Sequence, residues 1–170
     1  MDNLLIEYDD ILIGRLDGVQ SYNFSEPSPG GQNQKRVLQV FRYALEVVGG
    51  YTPETAVRKF DRSLISAFKL GTYLPYIRFP VEVKYGDPKF ILSLLYPDLV
   101  RIDYDRLILE IYRSVLEEDG QFPREYFVGR DGVYRFCECL KYLISHYRPF
   151  RTLYGLYRYF MSNAGKRFLY

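Results

Sequence analysis

The sequence predicts an all-α protein, a compact helical domain, and three observations carry that prediction. Four segments repeat apolar residues at helical spacing, prolines and capping side chains stand where helix starts need them, and at most one stretch alternates as a strand would. A chain of 170 residues is long enough for one good core or for two small modules that share one. Its 48% apolar and 26% charged residues are ordinary globular values, which leaves room for disorder only in a short segment.

Taken in order, Leu4, Leu5, Tyr8, Ile11, Leu12 and Leu16 fit a helix, expected to run to about Arg15 and to give way to an extended arm bearing Tyr22 and Phe24. Asp17-Gly18, between ILIGRL and VQSYNF, would also suit the turn of a small N-terminal β-hairpin. SEPSPGGQN, Ser25 to Asn33, has too few apolar groups to pack and reads as a loop. From Lys35 to Val48 the apolar residues Val37, Phe41, Ala44 and Val48, with Leu38 and Leu45 beside them, predict a helix that Gly49-Gly50 stops. Thr52 can then accept from free helix amides while Pro53 takes the first helical position, where a missing N–H costs nothing. That helix is expected to reach about Phe60. Asp61 caps a third, with Leu64, Ile65, Phe68 and Leu70 facing inward and Arg62, Ser63, Ser66 and Lys69 outward. Short helices across a tight turn predict helix-turn-helix packing.

Pro75 and Pro80 break any period in GTYLPYIRFPVEVKYG, so a short helical turn followed by extended chain is expected there. Asp87-Pro88 repeats the cap-plus-proline start, and Phe90, Ile91, Leu94 and Leu95 make a short buried helix ending at Tyr96-Pro97. Asp103 caps a helix to about Glu118, centred on Leu107, Ile111 and Val115 and flanked by Ile108, Tyr112 and Leu116. The most regular helix runs from Asp131 to Tyr147, with Val133, Phe136, Cys137, Leu140, Leu143, Ile144 and Tyr147 on one face that is expected to pack on the core, Leu140 and Leu143 buried at its middle. Pro149 ends it, and Thr152 starts a last helix through Leu153, Leu156, Tyr157, Phe160 and Met161.

These elements group into an acidic arm and loop (1–34), a first helical module (35–70), connecting helices (71–118) and a second helical module with a basic, Tyr-rich end (119–170). A faint echo links the two modules. Asp17-Gly18, Gly31, Arg36, Phe41-Arg42-Tyr43, Thr52 and Phe60 are answered in order by Asp119-Gly120, Gly132, Arg135, Leu140-Lys141-Tyr142, Thr152 and Phe160. A duplication would produce this pattern, and so would a chance register of aromatic-rich helices. The Tyr22/Phe24 arm leading into RVLQVFRYALE, then YTPETAVRKF, SLISAFKL and FILSLLYPDLV, resembles the helical modules of an uncharacterised family of spore-forming Gram-positive bacteria. The resemblance implies a helical repeat fold and brings no catalytic residue with it.

No uninterrupted apolar run approaches the ~20 residues that span a bilayer, and MDNLLIEYDD lacks the basic region of a secretory signal, so a cytoplasmic location is expected, with no membrane partner. Cys137 and Cys139 point about 200° apart on a helix, which rules out a mutual disulfide or a metal knuckle. His146, the single histidine, lies half a turn out of phase with Cys137, so the two form no dyad within one helix. Carboxylate pairs such as Asp9-Asp10 and Asp103 with Asp105 sit where caps or solvated faces want acids. The Gly-Gly pairs lack the context of a phosphate loop. The sequence therefore predicts a protein that is not an enzyme, with no metal and no cofactor.

Charge gives the stronger pointer. The net charge is +2, yet the first 34 residues hold six acids against Arg15, and after Glu138 there is no acid at all. Such asymmetry suits a polyanionic partner or contact between the ends. Arg58 and Lys59 would meet phosphates and Arg62, Ser63, Ser66 and Lys69 a groove of DNA, if 35–70 is a DNA-reading unit. Arg148, Arg151 and Arg158 interleave with tyrosines, as on a nucleic-acid surface. The expected function is thus a non-enzymatic, nucleic-acid-binding regulator. The alternative is a protein-interaction adaptor, binding a protein partner or a second copy through its Tyr-rich C-terminal surface.

Overall fold

The computed structural model describes residues 3–20, 31–117, 120–147, 152–162 and 165–166, and among them it holds helices and no strand. No helix among the described residues is long and apolar enough to cross a membrane. The chain divides into two compact units, Met1–Ile102 and Asp103–Tyr170.

In the N-terminal unit, helix α1 (Asn3–Leu12) buries Leu4, Tyr8 and Ile11 along one face. It stops at Leu12, short of Arg15, in a turn where Gly14 takes a positive φ. Asp17-Gly18 lies in a bend that no strand flanks among the described residues, and residues 21–24 of the expected hairpin lie outside them. The arm residues Tyr22 and Phe24 lie outside the described residues. Helix α2 (Gln32–Tyr43) sits at the centre of this unit, with Val37, Val40 and Phe41 fully buried. It continues as a π-turn (Ala44–Val48) in which the Gly49 amide reaches back to the Ala44 carbonyl at 2.9 Å, one residue further than in an α-helix. Gly50, at φ +63°, then reverses the chain, a conformation that favours glycine. Thr52 caps α3 (Pro53–Lys59), and Asp61 caps α4 (Arg62–Ala67) through the Leu64 amide at 2.9 Å. A 3₁₀ turn (Leu70–Tyr76) and α5 (Pro88–Leu95), capped by Asp87, pack against α2 and close the core.

In the C-terminal unit, α6 (Tyr104–Glu117) starts where the Asp103 carboxylate accepts from the Arg106 amide and packs against α7 (Gly129–Tyr142). The buried line on α6 is Ile108, Tyr112 and Val115, one residue off the predicted centre at Leu107 and Ile111. On α7 it is Gly132, Cys139 and, in the π-turn that follows (Leu143–Tyr147), Leu143. The predicted stripe is therefore only half covered: Val133 is 62% and Ile144 41% exposed, Cys137 is exposed, and Leu140 is half-buried. An apolar period fixes the width of a helix's apolar face but not which part of that face a neighbour covers. Gly132 is the close approach, because a Cβ there would collide with the Phe127 carbonyl. Thr152 caps α8 (Leu153–Met161) through the Gly155 amide at 3.1 Å.

Candidate functional site

The basic set of the N-terminal unit lies on α3, α4 and the turn that follows, with Arg58, Lys59, Arg62, Ser63, Ser66 and Lys69 outward as the sequence predicts. Much of it is committed within the protein. The Ser63 hydroxyl donates to the Asp61 carboxylate at 2.6 Å, as part of the α4 cap, and holds that carboxyl below its ordinary range together with the Leu64 amide. Lys69 adopts a left-handed conformation, φ 52°, that terminates α4, and its ammonium donates to the Ile11 carbonyl at 3.0 Å, where α1 ends. Lys59 places its ammonium 5.4 Å from the Tyr51 ring, within cation–π range. Arg62 reaches the Tyr85 carbonyl at 3.5 Å, and the Arg58 charge bears on Glu54. With six residues, α4 is about 9 Å long, short for a helix that must reach several base edges.

An open depression beside these helices has an apolar floor including Val57, Phe60 and Leu92 and a rim including Asp61, Asp87 and Lys89. Both rim aspartates are occupied as helix caps.

The C-terminal unit offers a different surface. On α8, Leu153 is 86% exposed, and Tyr154, Tyr157 and Met161 are exposed beside Arg158. Arg148 and Arg151 fall outside the described residues. On α7, Val133 and Tyr134 are exposed, and Tyr134 donates to the Asp105 carboxylate, which pushes its phenol up to about 12. The His146 ring stacks on Tyr142 at 4.3 Å and meets the Ser145 hydroxyl at 2.7 Å. That hydroxyl donates to the Lys141 and Tyr142 carbonyls, an ordinary back-bond of a helical serine. Cys139, fully buried, has its thiol pushed up to about 12 by burial. Among the described residues, no three His, Cys, Asp or Glu side chains gather as a metal site would need.

Sequence reasoning missed the exposed α7 stripe, having assigned Val133, Cys137 and Ile144 to a buried face. The echo offered no help, because it aligns this stripe with the face of α2 that carries the fully buried Phe41 and Leu45. No family model matches the chain, and no curated protein and no solved structure matches it either.

Proposed function

We propose that the protein is a non-enzymatic interaction adaptor that engages a protein partner through its C-terminal unit. The observation that carries this reading is the set of large apolar side chains left in solvent on α7, the π-turn after it and α8, namely Val133, Ile144, Leu153, Tyr154, Tyr157 and Met161. Exposed apolar residues scattered singly need no explanation, but several on consecutive helices, with aromatic residues and an arginine among them, have the composition of an interface core. The reading goes with a fold of two related helical modules, in keeping with the repeat fold that the family resemblance implies.

A photo-crosslinking amino acid placed at Tyr154 or Tyr157, with the same group at Arg58 or Ser66 as comparison, tests the proposal in cells. A discrete protein adduct from the first pair and none from the second is the expected result. Equal labelling from all four positions would count against a dedicated C-terminal surface.

The nucleic-acid-binding regulator keeps one favourable observation, which is that Arg58, Arg62 and Ser66 are exposed on two adjacent short helices, α3 and α4. Mobility shifts on random duplex and single-stranded DNA at two salt concentrations separate the readings. Phosphate contacts give a steep loss of affinity with salt, about one counterion for each Lys or Arg engaged, whereas an aromatic protein interface responds weakly.

A further inference from the structure

The two units repeat one pattern of residues and contacts, and the repeat identifies what the C-terminal unit lacks. Leu4, Tyr8 and Ile11 on α1 have the spacing and burial of Ile108, Tyr112 and Val115 on α6. Tyr8 meets Tyr43 edge-on, at 6.1 Å and 88°, and Tyr112 meets Tyr142 in the same way, at 6.0 Å and 80°. Tyr43 and Tyr142 each close an α-helix that runs on into a five-residue π-turn. Threonine caps the following helix in both, and the next cap also corresponds: Asp61 accepts from the Leu64 amide, and Ser162 accepts from the Gly165 amide at 3.2 Å. Counting back from the two tyrosines pairs Val40 with Cys139 and Ala44 with Leu143, all fully buried.

The same register pairs Gln34, Leu38, Phe41 and Leu45 with Val133, Cys137, Leu140 and Ile144. Here burial differs. Phe41 and Leu45 are fully buried, and Gln34 and Leu38 half-buried, while Val133, Cys137 and Ile144 are exposed and Leu140 is half-buried. In the N-terminal unit the 3₁₀ turn and α5 pack on α2, and named contacts fix them there. Arg42 donates to the Leu95 carbonyl at 2.7 Å, at the C-terminal end of α5, and lies over the Tyr96 ring, whose hydroxyl donates to Glu46. At the other end Gln34 accepts from the Arg78 amide at 3.2 Å. In the C-terminal unit, Lys141 stands in the place of Arg42 and Val133 in that of Gln34.

We infer that the exposed residues Val133, Cys137 and Ile144 on one face of α7 and its π-turn, with half-buried Leu140 at their edge, are the seat of a short amphipathic helix from a partner protein, built like α5. The inference rests on the adaptor reading and names its partner. The docked helix presents Phe, Ile and Leu in the manner of Phe90, Ile91 and Leu95, and ends with its carbonyls at Lys141, where a cation favours a helix C-terminus. Because Val133 cannot accept a backbone amide as Gln34 does, the ligand needs no polar loop preceding its helix.

The probe is a labelled peptide of residues 87–98, DPKFILSLLYPD, titrated into the full chain. Saturable one-to-one binding is expected, weakened at least tenfold by Val133→Glu or Ile144→Glu, at positions 62% and 41% exposed, with the circular dichroism of each variant the same as the parent's. Bound peptide should slow alkylation of the exposed Cys137 thiol severalfold, and a peptide carrying Phe90→Glu and Leu95→Glu should do neither. Binding that ignores both stripe variants and leaves Cys137 reactive would overturn the inference, since the peptide would then be seated elsewhere. A dimer in sedimentation velocity that Val133→Glu abolishes would overturn it in favour of a second copy. With no peptide binding, an adduct from Tyr154 or Tyr157 would leave the adaptor standing without this ligand, whereas silence in both assays would remove both.

Discussion

Helices α2 and α7 occupy equivalent places in their units, each against a helix with a buried tyrosine, each ending in a π-turn before a threonine cap, yet one is enclosed and the other half bare. The enclosed helix carries glutamine and arginine where its neighbours supply backbone groups to meet them, Gln34 with the Arg78 amide and Arg42 with the Leu95 carbonyl. The bare one carries valine and lysine at those places. A polar side chain is retained against a covering element only if it finds a partner there. The difference thus teaches that the shared part of the pattern, two crossed helices held by a tyrosine pair, needs no third layer to define its geometry. The third layer decides which residues become core.

The sharpest way to break this comparison is to place a charge at paired positions. Leu45→Asp buries a carboxylate among Val40, Phe41 and Ala44 and should cost more than about 4 kcal/mol, enough to unfold the N-terminal unit. Ile144→Asp, at the paired position that is 41% exposed, should cost far less, about 1 kcal/mol. Urea titrations followed by circular dichroism read both, and equal losses would show that the α7 stripe is covered in solution.

Truncation gives a smaller contrast within one stripe. Leu143→Ala, at a fully buried site, should cost on the order of 2 to 5 kcal/mol, and Leu140→Ala about half as much, because part of its surface already meets water. Thermal melts that rank the two in the opposite order would mean that the buried line on α7 is the one its apolar periodicity first suggests.

How much of this was legible in the sequence follows from which signals are local. Thr52-Pro53, Asp61, Asp87-Pro88, Asp103 and Thr152 each announce a helix start, and each caps the helix it announces, since a cap depends on three or four consecutive residues. The outward set on α3 and α4 was legible for the same reason. That Lys69 would spend its charge on the end of α1 was not, because the Ile11 carbonyl lies far away in sequence. Nor were the π-turns, because Gly49-Gly50 and Pro149 announce that a helix ends without saying that its register first slips by one residue. The face of α7 escaped because Val133, Cys137 and Ile144 are as apolar as a core, and composition cannot say whether a neighbouring element covers them.

Caps offer a test of lesser size. Replacing Thr52 or Thr152 by alanine removes the side-chain acceptor for the Thr55 or Gly155 amide, at a cost of about 1 kcal/mol for the helix concerned. Because α3 packs into an enclosed unit while α8 is widely exposed, Thr52→Ala should lower the global melting temperature, and Thr152→Ala should instead speed amide exchange within α8. Identical global shifts would indicate that α8 is as tightly integrated as α3.

The smallest expected effect separates the two tyrosine pairs. Tyr43 donates to the Asp9 carboxylate at 3.2 Å, whereas Tyr142 accepts from the Arg113 guanidinium at 3.0 Å, so the residue just after the buried tyrosine of each pair has the opposite charge. Removing either hydroxyl by substitution with phenylalanine should cost little at neutral pH, and Tyr142→Phe would keep the ring on which Arg113 rests, 5.1 Å from its centroid. Alkaline pH then tells them apart. Burial, followed by the Asp9 charge, raises the Tyr43 phenol above its ordinary value of 10, so the folded state retains a proton that the unfolded chain has released. Stability from this group is complete below pH 10 and falls as pH rises from there through the raised value. Tyr43→Phe should therefore flatten part of the alkaline loss, leaving the share due to Tyr8, Tyr73 and Tyr96, which are raised mainly by burial. If urea titrations above pH 10 show the same alkaline slope in Tyr43→Phe as in the parent chain, Asp9 does not govern that pair, and the charge inversion between the two units has no energetic consequence.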